Sequence, residues 1–339
     1  MLRCIRTLPR PRRLLGAIGA AAILAIGAAR SVAAEVPADW KFEWPRTDFA
    51  KTTVPLAEIR SVIAKDGIPA IDRPKFVPAA NAATLGLAEN EPVIALSIGG
   101  EARAYPLRIL TWHEIVNDVV GGIPVAVTYC PLCNSAIVFD RRLDARILSF
   151  GTTGKLRNSD LVMYDRETES WWQQYVGEAL VGALAGRKLA MLPMRVESLA
   201  RFRQRHANGT VLVPNDPALR DYGRNPYARY DSSAKPFLYD GPLPEGVPPL
   251  ERVVVADGTA WTFALLRERR RIEHGDLVIT WEPGQSSALD SAIVKDGRDV
   301  GNVVVQRRGK DGALADAVHD VSFAFAFRAF FPRGAIHAK

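Results

Sequence analysis

Apolar and polar positions alternate in short runs from residue 92 onwards, which is typical of β-strands. Val93 to Ile98 is almost wholly apolar, Gly99-Gly100 is a hairpin turn signal, and Ala102 to Tyr105 continues beyond it. This stretch therefore predicts two antiparallel strands joined by a tight turn.

A short helix and a second hairpin follow. Apolar residues recur at helical spacing from Ile109 to Val116, and residues 119–129 again have the pattern of a hairpin with a Gly-Gly turn. Another strand is indicated from Ala136 to Asp140. The fold class predicted is mostly β (α+β) with a few short helices. Cys130 and Cys133 are expected on a tight turn between two strands.

The same pattern occurs twice in the chain. Two stretches recur without a gap: residues 100–107 match 258–265, and residues 127–136 match 279–288. In the second copy Glu282 and Gln285 stand where the first copy has its cysteines. We therefore expect two related β-rich modules, of which the second is degenerate. The organisation predicted is a signal peptide over residues 1–34, an irregular lead-in over 35–60, a first module over 61–214, a Pro/Gly-rich linker over 215–249 and a second module over 250–339.

The first 34 residues have the order of a bacterial export signal. Five arginines precede an apolar, alanine-rich run over residues 14–29, and small residues at 32–34 suit a signal peptidase. This predicts a periplasmic or secreted protein of a Gram-negative bacterium, cleaved near Ala34. An uncleaved anchor is the alternative, and Arg12-Arg13 leaves the general and the twin-arginine export routes both open.

Removal of this segment changes the charge of the chain. It holds six of the 44 basic residues and none of the 37 acidic ones, so 38 basic and 37 acidic residues remain. A chain so close to neutral has no basic surface of the kind that nucleic acid binds, so no nucleic-acid partner is expected. No stable membrane span is expected after cleavage either.

The cysteine pair is the sharpest chemical feature. Cys4 leaves with the signal, so Cys130 and Cys133 are the cysteines that remain. A disulfide across so short a loop adds little to global stability, which favours a chemical role. A thioredoxin-type site is disfavoured because a strand, not a helix, is predicted after the pair. A zinc knuckle or a copper site fits the turn, but zinc sites with four protein ligands need donors beyond this pair: histidine, carboxylate, methionine or another subunit.

His113 is the first candidate for such a donor, since it lies at the end of the predicted helix before the hairpin. A hydrogen-bonded core histidine is the alternative, because it shares an apolar face with its neighbours. The walls of the site are expected from polar and aromatic residues in two nearby stretches: Asn117, Asp118, Tyr129, Asn158, Ser159, Asp160, Tyr164 and Trp171.

A glycine-rich stretch over Gly151 to Lys155 does not match a phosphate-binding loop. Such a loop needs four residues between its glycines and Ser or Thr after the lysine, where this chain has Leu156. No nucleotide-binding residues are therefore predicted.

The chain resembles a bacterial family catalogued as domain of unknown function 3179. The resemblance lies in four stretches: residues 100–110, 112–118, 122–133 (GIPVAVTYCPLC) and 158–171 (NSDLVMYDRETESW). It implies an exported protein whose first module carries the Cys-Pro-Leu-Cys turn, and it implies no particular activity. Members usually have a small residue after the second cysteine, where this chain has Asn134.

Three functions are compatible with these observations. The first is a binding module that holds a soft metal, copper before zinc, through Cys130, Cys133 and His113. The second is a redox protein whose cysteines cycle between dithiol and disulfide with an exported redox or metal-handling partner. The third is a structural domain in which the pair is a static clip. The sequence does not decide whether the protein is an enzyme.

Overall fold

Short strands make up most of the regular secondary structure, as predicted, and a computed structural model describes residues 36–338. The predicted signal peptide lies outside the described residues. The lead-in and first copy contain α1 (Ala38–Glu43), β1 (Ile59–Ser61), β2 (Lys75–Pro78), β3 (Pro92–Ile98), β4 (Glu101–Pro106), α2 (Leu107–His113), β5 (Ile115–Val120), β6 (Ile123–Cys130) and β7 (Ser135–Asp140). The chain continues with β8 (Arg142–Leu143), β9 (Arg146–Ile147), β10 (Phe150–Arg157), β11 (Asp160–Asp165), β12 (Trp171–Gln173), β13 (Glu178–Val181), β14 (Met191–Leu192), β15 (Arg195–Ser198), α3 (Leu199–Arg205) and β16 (Thr210–Val213).

The second copy repeats these elements in shorter form. It contains β17 (Arg252–Ala256), β18 (Thr259–Thr262), α4 (Phe263–Arg269), β19 (Arg271–His274), β20 (Leu277–Glu282), β21 (Asn302–Arg308), β22 (Leu314–Asp316), β23 (Asp320–Phe323), α5 (Ala324–Phe330) and β24 (Ile336–His337). Short 3-10 turns occur at Leu56–Glu58, Ala79–Leu85, Tyr230–Ser232 and Val294–Asp296.

The sheets of the two copies have the same topology. The order β15-β3-β4-β16 in the first copy corresponds to β23-β17-β18-β24 in the second, and in each the last strand runs parallel to its neighbour. The order β5-β6-β7-β14 corresponds likewise to β19-β20-β21-β22. The recurrence seen in the sequence therefore has a counterpart in strand pairing, whereas the module boundaries at 214 and 250 stay a prediction.

An insertion distinguishes the first copy. Between β7 and β14 the chain adds β8 to β13, four of which form a sheet with β1 in the order β1-β10-β11-β12-β13. In the second copy β21 and β22 are joined by a turn alone. The insertion supplies side chains that have no counterpart in the second copy.

The lead-in is more regular than its sequence indicated. It contains α1 and β1, and Trp40 and Trp44 are buried against Trp171 of the insertion, with ring centroids 5.0 and 5.3 Å from it. Burial of these large rings stabilises a segment that has little intrinsic helix or strand pattern.

The glycine-rich stretch rejected as a phosphate loop lies in β10. Its register against β11 shifts between Thr152 and Lys155, and Gly154 has φ 70° there. A Cβ at Gly154 would lie 2.2 Å from the carbonyl oxygen of Ile63, so the bulge and the close approach of the segment after β1 require glycine.

One hydrophobic core runs through both copies, from Ile94 and Val127 in the first to Val254 and Phe323 in the second. The predicted linker, residues 215–249, has one 3-10 turn as its regular structure and crosses the surface of both copies. We call it the strap. Within the part of the chain that is described, no helix is long and apolar enough to cross a bilayer.

Candidate metal centre

The Cys-Pro-Leu-Cys turn joins β6 to β7, as the sequence predicted. Cys130 pairs with Ser135 across the two strands, and the N–H of Asn134 donates to the carbonyl of Pro131 at 3.2 Å. Asn134 adopts φ 51°, a left-handed conformation that asparagine tolerates better than most residues. The residue that departs from the usual family pattern thus fits the backbone of the turn.

The two sulfurs lie side by side without a bond. Cys130 and Cys133 are 4.3 Å apart, both are free thiols, and both are buried. Each thiol donates toward the carbonyl oxygen of Ser159, at 3.8 Å from Cys130 and 3.5 Å from Cys133. Ser159 is presented by the tight turn between β10 and β11, where it adopts φ 62°. The two sulfurs therefore face a common point on the insertion.

Asp160 adds a carboxylate at this point. One of its oxygens, Oδ2, accepts hydrogen bonds from the side chain of Gln173 at 2.7 Å and from the N–H of Tyr175 at 3.0 Å. The other oxygen, Oδ1, is buried and has no hydrogen-bond partner. Ligand atoms of Cys130, Cys133 and Asp160 all lie within 4.8 Å of one another. The three side chains form a compact set of donors for a cation.

Burial keeps these groups protonated in the absence of a cation. It raises the pKa of both thiols, and it raises the pKa of the Asp160 carboxyl to about 7 against the hydrogen bonds that favour the charged form. A metal ion would replace protons at this site, so binding would release them.

Glu114 is a further buried carboxyl near the site, and sequence reasoning missed it. Burial, and then the nearby Asp160, raise its pKa to about 8. It caps α2 with φ 57°, and its carbonyl accepts the N–H of Tyr129 at 2.8 Å. Arg270 occupies the same place after α4, with φ 64°, and accepts the N–H of Trp281. Both copies therefore share the strained backbone conformation at this position, whereas the carboxyl side chain occurs in the first copy alone.

His113 is not brought to the cysteines. Its Nδ1 lies 2.7 Å from the carbonyl of Pro69, and its Nε2 lies 2.7 Å from the hydroxyl of Tyr222 in the strap. Its ring also stacks on that of Tyr222, with centroids 5.7 Å apart. Both nitrogens are thus engaged elsewhere, and the third donor beside the sulfurs is Asp160.

Four of the expected wall residues lie at or beside the turn. Ser159 and Asp160 contact the cysteine pair as described, and Asn158 shares their left-handed turn with φ 54°. Tyr129 points its hydroxyl at the side chain of Asn134, 3.2 Å away. These residues shape the site from two strands that are distant in sequence.

The other four support neighbouring parts of the fold. Asn117 binds the backbone of Phe150 at 2.8 Å, Asp118 pairs with Arg103, Tyr164 donates to Asp66 at 2.5 Å, and Trp171 packs against Trp40 and Trp44. These four residues are close in sequence to the site residues, but their side chains contact other parts of the fold.

Parts of the chain far away in sequence close over the turn. In the second copy, Asp320 accepts from the hydroxyl of Ser135 and the N–H of Ala136, both at 2.9 Å. In the strap, Tyr230 donates its hydroxyl to the carbonyl of Leu132 at 2.9 Å. No local sequence signal marks either residue, because each acts through a contact across about 100 residues or more.

Comparison with known families assigns the chain to one of them. The model of the family described as "Protein of unknown function (DUF3179)" matches residues 65–334, so the chain belongs to that family. Neither the comparison with curated proteins nor the comparison with solved structures found a match.

Proposed function

We propose that this member of the DUF3179 family is a metal-binding protein that holds one zinc ion through Cys130, Cys133 and Asp160. The observation that carries the proposal is the buried Oδ1 of Asp160. It has no hydrogen-bond partner, and Asp160 forms with Cys130 and Cys133 a set of side chains whose ligand atoms lie within 4.8 Å of one another.

An unpartnered buried oxygen is costly, because burial removes the water that would have satisfied it. The rest of the carboxyl is fixed: Gln173 and Tyr175 both donate to Oδ2. This arrangement leaves Oδ1 as the oxygen without a hydrogen bond, in a carboxyl group that lies beside the two sulfurs. A cation would satisfy it and the two thiolates together.

The carboxylate favours zinc over copper. Cuprous ion prefers thiolate and thioether ligands, whereas zinc accepts Cys sulfur and Asp oxygen together. The sequence alone favours copper because thiolates are soft ligands and His113 is the partner it predicts for them. Three protein ligands are also the number that open zinc sites use, with the fourth position left to water or substrate.

Thiol exchange with a protein partner has less support. Cys130 is 1 % exposed and Cys133 is fully buried, and burial raises the pKa of both. Exchange requires a reachable thiolate, which these surroundings disfavour. A static clip has less support too, since both cysteines are free.

Metal content tests the proposal. Reduced protein spanning residues 35–339 is exposed to zinc, desalted and analysed for zinc and free thiols. We expect about one zinc per chain, and about 100-fold weaker binding after Cys130→Ser or Asp160→Asn. Asp165→Asn is the matched control: it lies at the far end of β11, accepts from Trp172 and Thr168, and should leave the stoichiometry unchanged.

Two results would contradict the zinc site. One is folded protein that retains free thiols and takes up no zinc under reducing conditions. The other is zinc binding that survives in the Cys130→Ser variant.

Export is part of the same proposal. The order of arginines, apolar run and small residues over positions 1–34 supports delivery to the periplasm or outside the cell. Cell fractionation with and without these residues tests it, and retention of both forms in the cytoplasm would refute it. An exported metal-handling protein is the partner we expect for a zinc site in that compartment.

A further inference from the structure

A cavity of about 440 Å³ lies under the strap, beside the candidate metal centre. Two of its lining residues are direct neighbours of the proposed ligands: Leu132 lies between the cysteines, and Leu161 follows Asp160. The cysteines and Asp160 do not themselves line it. The cavity is within the size range of small-molecule sites.

Its walls are mostly apolar and come from several parts of the chain. The segment between β1 and β2 supplies Ile63 and Ile68, the insertion supplies Leu156, and the strap supplies Tyr230 and Phe237. Such a lining favours an apolar ligand, which gains free energy on burial. A polar ligand would lose its hydrogen bonds to water, and apolar walls would not replace them.

Two polar groups face the cavity without a partner. Glu114 is 7 % exposed, and its carboxyl makes no hydrogen bond to any described residue. The hydroxyl of Tyr227, in the strap, makes none within residues 36–338 either. A few unpaired polar groups in an apolar cavity are the usual means by which a site fixes a ligand's polar end.

The cavity has no cation to offer an anionic ligand. Lys155 lines it, but its ammonium group is 2.8 Å from Glu43 and is engaged there. Glu114 and the nearby Asp160 would repel an anion where their carboxyls are ionised. Glu114 is buried with no cation beside it, which favours the protonated carboxyl, and a protonated carboxyl can donate a hydrogen bond. Two donors, Glu114 and Tyr227, suit an acceptor oxygen.

We infer that this cavity binds an uncharged, largely apolar organic molecule whose carbonyl oxygen accepts hydrogen bonds from Glu114 and Tyr227. The inference goes beyond the zinc site and does not depend on it, because no proposed metal ligand lines the cavity.

Three naphthalene compounds of similar size test the ligand class: 2-acetylnaphthalene is neutral and has a carbonyl, 2-naphthoate is an anion, and 2-naphthylmethylammonium is a cation. Binding to the metal-free and zinc-treated protein is measured by calorimetry near neutral pH. We expect the neutral ketone to bind about 10-fold or more tighter than either ion, since a charge would lose its hydration without a partner. Equal binding of all three would overturn the inference.

Variants test the location. Ala228 is exposed and lines the cavity, so Ala228→Trp should obstruct it and weaken ketone binding about 10-fold or more. Ala218→Trp is the matched control, because Ala218 is an exposed alanine of the same strap outside the cavity lining. Unchanged binding in Ala228→Trp, or an equal loss in both variants, would refute the site.

A second pair of variants tests the polar contact. Glu114→Leu should weaken ketone binding about 5-fold, the usual effect of one lost hydrogen bond, and Glu114→Gln should retain it because an amide also donates. Equal affinities of the two variants would exclude Glu114 as the contact. The Cys130→Ser variant should keep its ketone affinity while losing zinc, so failure of one proposal is distinguishable from failure of the other.

Discussion

The backbone N–H of Phe323 donates a hydrogen bond to the carbonyl oxygen of Cys133 at 2.9 Å. Phe323 ends β23 in the second copy, and Cys133 lies in the Cys-Pro-Leu-Cys turn that follows β6 in the first. The copy that lacks the cysteines therefore holds the turn that has them. Asp320, on the same strand, binds the residues immediately after that turn. The second copy serves as a support for the site, which explains how it tolerates Glu282 and Gln285 in place of thiols.

Zinc affinity should rise steeply with pH. Both thiols have raised pKa values and must lose their protons to bind the ion, so each contributes about a tenfold change per pH unit below its pKa. We expect affinity to increase about 100-fold between about pH 6.5 and about pH 7.5. Competition with a chelator of known affinity, together with measured proton release, checks this. An affinity independent of pH would mean that the thiols are not ligands.

The Asp320→Asn variant should gain stability relative to the parent protein as pH rises. Burial raises the pKa of Asp320 to about 7 from 3.8, so between these values the folded state holds a proton that the unfolded state has lost. Stability contributed by that proton is present at low pH and falls as pH increases to about 7. The variant has no such proton, and its stability relative to the parent should increase by about 1 kcal/mol per pH unit in this window.

Urea unfolding of both metal-free proteins at about pH 5 and about pH 7 measures this difference. Comparison with the parent cancels the contributions of other buried groups, including His113 and His319, whose pKa values are lowered by burial. A constant difference between the two proteins would show that Asp320 does not titrate in this range.

The Tyr230→Phe substitution should increase the rate at which iodoacetamide labels the two cysteines. The Tyr230 hydroxyl ties the strap to Leu132 between the two thiols, and its loss should increase local opening there about 5-fold. Iodoacetamide labelling of the reduced, metal-free protein measures this. Tyr239→Phe is the control, because that hydroxyl donates to Pro242 within the strap. Equal labelling rates in the two variants would argue against the strap as the barrier.

Glu43→Gln should destabilise the protein more than Lys155→Met. The Lys155 ammonium is 1 % exposed and lies 2.8 Å from Glu43, which is 27 % exposed. Loss of the acid leaves a buried cation unpaired, at a cost of about 2–3 kcal/mol, whereas loss of the lysine leaves a partly hydrated acid, at about 1 kcal/mol. Denaturant unfolding measures both. A larger loss of stability in Lys155→Met than in Glu43→Gln would mean that the tryptophans around Lys155 stabilise its charge without Glu43.

The sequence by itself determined the strands, the short helix, the repeat and the position of the cysteine turn. These follow from local alternation, glycine turns and side-chain period, which need no distant contact to be recognised. Tyr129 and Trp281 align in the repeat, and the structure confirms this equivalence. The N–H of Tyr129 donates to the carbonyl of Glu114, and the N–H of Trp281 donates to the carbonyl of Arg270. The regular structure of the lead-in could not be predicted from local pattern, because it depends on tryptophans that are buried against another segment.

Only the tertiary structure decided which donors meet the sulfurs. The sequence predicts His113 as the donor and Asp160 as a wall residue, but the ring nitrogens of His113 are satisfied by Pro69 and Tyr222, whereas Asp160 reaches the sulfurs from an inserted sheet. Tyr230 of the strap binds the turn and Asp320 of the second copy binds the residues after it, and no local pattern encodes such contacts. The physical reason is that burial and partner choice are properties of packing between segments, and they fix both the donor set and its protonation.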